Sequence, residues 1–449
     1  MFKRISFLIL LIGMQITTSA CLVNPFVQRL FWLENSKSNI NPLFALLFLN
    51  EKRIQLDKNF LGVKRGTKEK LNGTIFVWGA PSSSGIEWSS ANQSVATVDG
   101  SGLVTGVSNG KTVIQAKIPG ENISVSCPVT VFSGYLYASL DDANEVTIAS
   151  FNHLTGEVTW LNTQPTGISP TGIATDPFGR YLYTGNFDSN TISQFSINSN
   201  NGSLSLLGAA VNTGSNPRNI AISIDSKFLY IANETANIVS QYSIGSNGTL
   251  TPVTTYATLP VTFVSIDPTG KYLLTIGPTV TQLSSYSIDP TSGILTQKGT
   301  SPSFDSQALF SFHPNGRYVF VGSSPNLRVL ELNRESGALS TVADTNHSAV
   351  PHSSAIHPNG KFVYFVNSSV GTISCFVVDP STGILQNAST VATGFSDIRF
   401  MVIDPTGNFA FVANKTGNLI RLRVDQDTGK LDDLSVTNVG GTQWNLVLM

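Results

Sequence analysis

A glycine returns seven times along the second two-thirds of this 449-residue chain. Gly156, Gly202, Gly248, Gly293, Gly337, Gly383 and Gly429 stand 46, 46, 45, 44, 46 and 46 residues apart. Two residues after each comes a leucine or valine: Val158, Leu204, Leu250, Leu295, Leu339, Leu385 and Leu431. A period of this length, holding several short strands, marks a unit that cannot bury both of its faces alone and must stack on its neighbours.

Residues 170–207 show one unit in full. An apolar run from Pro170 leads to the turn Asp176-Pro177-Phe178-Gly179, and further runs follow around Tyr181, Thr191 and Leu204, separated by Asn, Ser and Gly. These are four strands, A to D, bounded by turn chemistry. Seven such units predict a seven-bladed β-propeller. The A–B turn recurs at Asp267-Pro268-Thr269-Gly270, His313-Pro314-Asn315-Gly316, His357-Pro358-Asn359-Gly360 and Asp404-Pro405-Thr406-Gly407, and departs in repeat three as Ser223-Ile224-Asp225-Ser226. Proline presets φ early in a turn and glycine tolerates positive φ.

The first repeat starts at strand B, with Gly134-Tyr135-Leu136-Tyr137, and the last is followed by Gln443-Trp444-Asn445-Leu446-Val447-Leu448-Met449. That final segment reads as the missing strand A of blade one, which would close the ring and remove an open sheet edge.

The rest of the chain divides into smaller pieces. Residues 1–21 read as a secretory signal, with Lys3 and Arg4 before an apolar run and small residues ahead of Cys21. Residues 22–53 read as a tether with one apolar patch, Leu43 to Leu49, too short to span a bilayer; a docked helix or strand is the alternative. Cys127 and Cys375 fall in different predicted domains, so each reads as a small buried residue without a disulfide. Charged residues make up 12% of the chain, about half the usual ~25%, and the net charge is −1. No basic stripe favours a nucleic-acid partner.

Three resemblances follow from these residues. Thr17-Thr18-Ser19-Ala20-Cys21 resembles a bacterial lipobox, with Thr18 in place of the usual leucine-like residue. It implies a lipid anchor on Cys21 and a place in the cell envelope, at the outer membrane. The run from Trp88 through Val95-Ala96-Thr97-Val98-Asp99, Gly102-Leu103-Val104-Thr105-Gly106 and Gly110-Lys111-Thr112-Val113 to Pro128-Val129-Thr130-Val131 closely resembles a bacterial immunoglobulin-like group 2 domain. It implies a β-sandwich over 54–132 that serves as a spacer or adhesive module on exported proteins. Val95, Thr97, Leu103, Val107, Val113, Val125 and Val131 are its strand residues, and Trp88 is its core anchor.

Residues 134–449 resemble the seven-bladed lactonase family, which includes a type of 6-phosphogluconolactonase. The resemblance rests on phrases such as Phe312-His313-Pro314-Asn315-Gly316-Arg317-Tyr318-Val319. In that family a Pro-Arg-His at the start of strand A and an Asn-Glu after strand B supply the candidate chemistry. Here repeat three reads Pro217-Arg218-Asn219, then Asn233-Glu234, so Asn219 replaces the histidine. An arginine can hold a carboxylate or phosphate, and a glutamate can take a proton from water.

Strand order places the A–B and C–D turns on one face and the D–A and B–C loops on the other. Ligand contacts therefore belong to the second face, at the channel mouth. Arg218, Glu234 and His352 are the candidate catalytic residues, and Asn219, Asp397, Arg399 and Trp444 the candidate ligand contacts. The plainer alternative makes Arg218 and Glu234 a salt bridge and His352 an exposed loop residue. The histidines show no metal-ligand spacing, and no nucleophile elbow or phosphate loop occurs. No cofactor is implied. Two functions remain open: an envelope lipoprotein whose propeller binds a surface protein or glycan, which is the first expectation, and a lactone hydrolase acting at the mouth.

Overall fold

The computed structural model describes residues 52–77, 80–83, 85–277, 281–304, 309–323, 326–347, 351–438 and 440–449. Cys21, the signal-like segment and all but the last two residues of the tether lie outside this set. The chain forms two compact units, Met1–Arg53 with Thr74–Ser82, and Ile54–Gly73 with Ser83–Met449. In the first, the short strand Ala80–Ser82 pairs antiparallel with the preceding strand, Val77 facing Ala80.

The second unit begins with two sheets of a sandwich. One runs Leu61–Lys64, Ser124–Phe132, Gly110–Lys117, Glu87–Ser90 in spatial order, and the other Lys68–Lys70, Leu103–Gly106, Ala96–Val98. Between them lie Leu61, Val63, Leu71, Val95, Val104, Ile114, Cys127, Val129 and Val131, with Trp88 packed against this core as expected. Of the strand residues read from the sequence, Val107 follows the strand Leu103–Gly106 and is 47% exposed, Val113 lies in its strand with its side chain outward and is 37% exposed, and Val125 is half-buried outside this core. Along Gly110–Lys117 burial alternates strictly, and Gly110, Thr112, Ile114 and Ala116 are the inward set. With a period of two, Ile114 faces the core because Val113 does not.

Seven four-stranded antiparallel blades follow, the second carrying an extra two-residue strand. Blade two, for example, has strands Pro170–Thr175, Tyr181–Asn186, Thr191–Ile197 and Leu204–Leu206, and blade three has Pro217–Ile222, Phe228–Asn233, Ile238–Ile244 and Leu250–Ala257. The C-terminal strand Gln443–Leu448 pairs antiparallel with Tyr135–Leu140, Leu448 opposite Leu136, and supplies strand A of blade one. The ring is thus closed by the first and last segments of the propeller sequence.

The repeating glycine has a packing reason. Gly202 turns from strand C to strand D of blade two with φ +74°, and a Cβ there would lie 2.5 Å from the Tyr135 ring of blade one. The same contact runs round the circle: Tyr181 on Gly248, Phe228 on Gly293, Tyr272 on Gly337, Tyr318 on Gly383, Phe362 on Gly429, and Phe409 of blade seven on Gly156 of blade one. In four blades a second tyrosine fixes the joint by donating its hydroxyl to the glycine carbonyl. Tyr137 reaches Gly202 at 2.9 Å, Tyr183 reaches Gly248 at 2.7 Å, Tyr230 reaches Gly293 at 2.5 Å and Tyr364 reaches Gly429 at 2.9 Å.

The A–B turns are ties between blades as well. In His313 the Asn315 amide donates to Nδ1, so Nε2–H donates to Gly360 O of the next turn at 2.9 Å. His357 repeats this toward Gly407 at 2.9 Å. Burial lowers the pKa of both imidazoles below the usual histidine value.

The immunoglobulin-like residues of the second unit pack on this same face of turns. A Cβ on Gly62 would lie 2.2 Å from the Pro405 carbonyl. Phe60 meets His357 edge-on at 5.6 Å, Asn59 donates to the Asn359 carbonyl at 3.2 Å, and Arg65 donates to Ser199 O at 2.7 Å. These contacts do not fit a spacer that holds the propeller at a distance.

Candidate active site

The opposite face carries the start of every strand A, and there the ladder is irregular. Pairing skips Thr171 in blade two, Arg218 in blade three, Arg399 and Phe400 in blade seven, and Trp444 in blade one. Such bulges bend a strand and re-aim the residue that loses its partner. A cavity of about 440 Å³ opens at this place, lined by residues of all seven blades, among them Thr171, Arg218, Glu234, His352, Asp397 and Arg399. Its size is in the range of small-molecule sites, roughly 300–1,000 Å³.

All three candidate catalytic residues and three of the four candidate contacts meet here. Trp444 lies at the matching backbone position, and its side chain is outside the described set. Arg218 donates from Nε to Glu234 Oε2 at 2.6 Å, and its guanidinium lies over the Phe187 ring at 4.5 Å. The two side chains are 28% and 24% exposed, open enough to meet a ligand. Asn233, beside Glu234, points the other way: fully buried, it donates to Ser240 Oγ at 3.0 Å. Asn186 and Asn367 make the same bond to Ser193 and Ser374 in blades two and six, so this asparagine belongs to the scaffold and the glutamate to blade three alone.

Asn219, which stands where the family has histidine, spans two blades. Its Oδ1 accepts from the Val264 amide of blade four at 2.9 Å. Thr171 ties blade two to blade three in a comparable way, donating to Pro217 O at 2.9 Å.

His352 is not the exposed loop residue of the plainer reading. Its Nε2 faces Arg399 Nη1 at 2.9 Å, and its ring meets Phe400 edge-on at 5.8 Å. An arginine can only donate, so Nε2 is the acceptor and the proton is on Nδ1, a buried atom with no hydrogen-bond partner. Burial, then the Arg399 charge, pushes its pKa down to about 4, against a smaller upward pull from Asp397. Asp397 sits on the loop before strand A of blade seven with φ 54°, its amide bonded to Ser368 O and its carbonyl to the Lys415 amide.

Sequence reading missed Thr171, Thr262, Phe263, Ser369, Phe400 and Asn445 in the lining. Thr171 and Thr262 stand at the Arg218 position of their own repeats, so aligning the seven strand-A starts would have found them. Among the described residues no cluster of His, Cys, Asp or Glu is arranged to hold a metal ion.

A sequence profile described as a seven-bladed β-propeller lactonase matches residues 108–218, 211–311 and 309–447 in succession. The chain belongs to the seven-bladed lactonase family. Residues 52–118 match the bacterial Ig-like domain, group 2. A 6-phosphogluconolactonase from Bacillus subtilis (strain 168) is 27% identical to this lactonase-family chain over 320 residues, which is 68% of this chain and 80% of the relative. One from Formosa agariphila is 32% identical over 134 residues, 28% of this chain and 38% of that protein. The solved structure of a periplasmic gluconolactonase from Pseudomonas aeruginosa superposes with a TM-score of 0.63 at 18% identity, covering 70% of this chain and 98% of that one. At that identity the likeness concerns the fold.

Proposed function

We propose that this protein is a lactone hydrolase that works at the channel mouth, in preference to the first expectation of a binding propeller. The observation that carries the reading is the Arg218–Glu234 pair, set by one blade of a lactonase-family propeller into the axial cavity. Glu234 acts as general base and takes a proton from water. The water oxygen bonds to the lactone carbonyl carbon, the tetrahedral oxyanion collapses, and the ring C–O bond breaks as Glu234 returns the proton to the leaving ring oxygen, giving the hydroxy acid and restoring the carboxylate. Arg218 holds the carboxylate in place through Oε2, and Arg399, held in turn by His352, stabilises charge developing on the carbonyl oxygen. His352 keeps its neutral form and serves as a positioning residue. Asn219 cannot exchange a proton at neutral pH, so the proton transfer falls to Glu234.

The test is hydrolysis of D-glucono-δ-lactone by protein starting after Cys21, beside Glu234→Ala and Arg218→Ala. The lactonase reading expects turnover that both substitutions abolish without loss of fold. Folded wild-type protein with no turnover of any lactone returns the reading to a binding propeller.

A further inference from the structure

The cavity holds two guanidinium groups, Arg218 and Arg399, and two carboxylates, Glu234 and Asp397. The Arg218 charge is matched by Glu234 at 2.6 Å. His352 adds nothing to the balance at neutral pH, since it accepts from Arg399. The loops around the mouth tip the balance further. They add one cation, Lys415, and three carboxylates, Asp141, Asp142 and Asp188. The next pair outward cancels itself, Arg328 donating to Asp344 at 2.6 Å. Among the described residues of the cavity and these loops, three cations therefore stand against five carboxylates.

A phosphate monoester carries close to two negative charges at neutral pH. Bringing it into a half-enclosed cavity of zero net charge leaves that charge uncompensated, which is costly, and the acidic rim opposes its approach over the longer range. The rest of the lining is of the opposite kind. Thr171, Thr262, Ser368 and Asn445 offer hydroxyl and amide groups, Phe263 and Phe400 offer ring edges and faces, and the two carboxylates accept from sugar hydroxyls.

We propose that the mouth takes neutral, unphosphorylated polyhydroxylated lactones and discriminates against phosphorylated ones, unlike the substrate named for its curated relatives. This rests on the lactonase reading for its chemistry and on the charge balance for its selectivity. The two parts fail separately.

The experiment compares kcat/KM for D-glucono-δ-lactone and 6-phospho-D-glucono-δ-lactone at low and high salt, and measures binding of the neutral lactam isostere of gluconolactone and of inorganic phosphate by calorimetry. The neutral lactone is expected to be at least ~10-fold the better substrate at low salt, with the gap narrowing as salt screens the rim. Asp188→Lys, a rim change outside the catalytic residues, is expected to raise kcat/KM several-fold for the phosphorylated lactone and to leave the neutral one unchanged. Preference for the phosphorylated lactone, or phosphate binding without lactam binding, overturns the proposal. If neither lactone turns over but the lactam binds and phosphate does not, the hydrolase reading falls and the ligand class stands. If nothing binds and nothing turns over, both fall.

Discussion

Arg399 donates through Nη1 to Nε2 of His352 at 2.9 Å, which makes the histidine a neutral acceptor at the centre of the propeller mouth. Its pKa of about 4 follows from burial and from that guanidinium. The pair joins blades six and seven and sets the charge of Arg399 toward the cavity. A proton on Nε2 would remove the acceptor and bring two cations together.

Replacing His352 by alanine is therefore expected to release Arg399 and lower kcat/KM for the lactone by about tenfold, a loss of roughly 1.4 kcal/mol in transition-state binding. His352→Asn, which keeps an acceptor, should recover part of it. The pH profile checks the positioning role: the acid limb near pH 4 that His352 contributes should disappear in His352→Asn.

Three histidines also set an acid limit on stability. His313, His352 and His357 all have folded-state values pushed below the ordinary one by burial. A depressed histidine binds its proton first in the unfolded chain, so the contribution is complete above about pH 6.5 and is lost as pH falls toward the folded-state values. Each can cost up to ~1.4 kcal/mol per pH unit while it titrates. Urea unfolding at pH 7 and pH 5 should show a lower midpoint at pH 5, and His357→Gln, which can still donate to Gly407 O, should reduce the difference.

The glycine joints predict a graded series. Tyr137→Phe removes one buried hydroxyl donor to Gly202 O and should cost about 1 kcal/mol, somewhat more if the carbonyl stays dry. Gly202→Ala combines a positive φ with a Cβ pressed into the Tyr135 ring, and should cost about 2–3 kcal/mol. Thermal unfolding checks both, and an Ala variant as stable as wild type would mean that the ring of contacts has little energetic weight.

Much of this architecture was legible in the sequence, because the glycine joint repeats wherever two blades meet and the same physics recurs seven times. The closure by Gln443–Leu448 was legible for a related reason: a repeat with three strands at one end and one strand left over at the other has a single economical pairing. The mouth was only partly legible. Arg218 and Glu234 were legible through the lactonase resemblance of Pro217-Arg218 and Asn233-Glu234, whereas the role of His352 depends on Arg399 47 positions later in the chain, across a blade boundary that no local pattern marks. Asn219 looked like a lost catalytic group and proves to be an inter-blade tie, a role that depends on the Val264 amide in the next blade. Val113 lies in a strand as read, with its side chain outward, whereas Val107 falls just past the end of Leu103–Gly106.

Deletion of residues 443–449 should open blade one along Tyr135–Leu140, exposing a sheet edge and the packing of Leu446 against Leu136, Phe151 and Phe411. The expected outcome is a cooperative loss of the propeller, read as a drop in Tm together with protease sensitivity at the newly exposed edge.

The most direct test of the central claim is lactone hydrolysis by Glu234→Gln. Glutamine preserves the shape of the side chain and an oxygen for Arg218 but cannot take a proton from water. The account predicts that wild-type protein opens D-glucono-δ-lactone faster than buffer and that Glu234→Gln, with an unchanged Tm, loses about 10²–10⁴ of that rate. Full activity in the folded variant would contradict it.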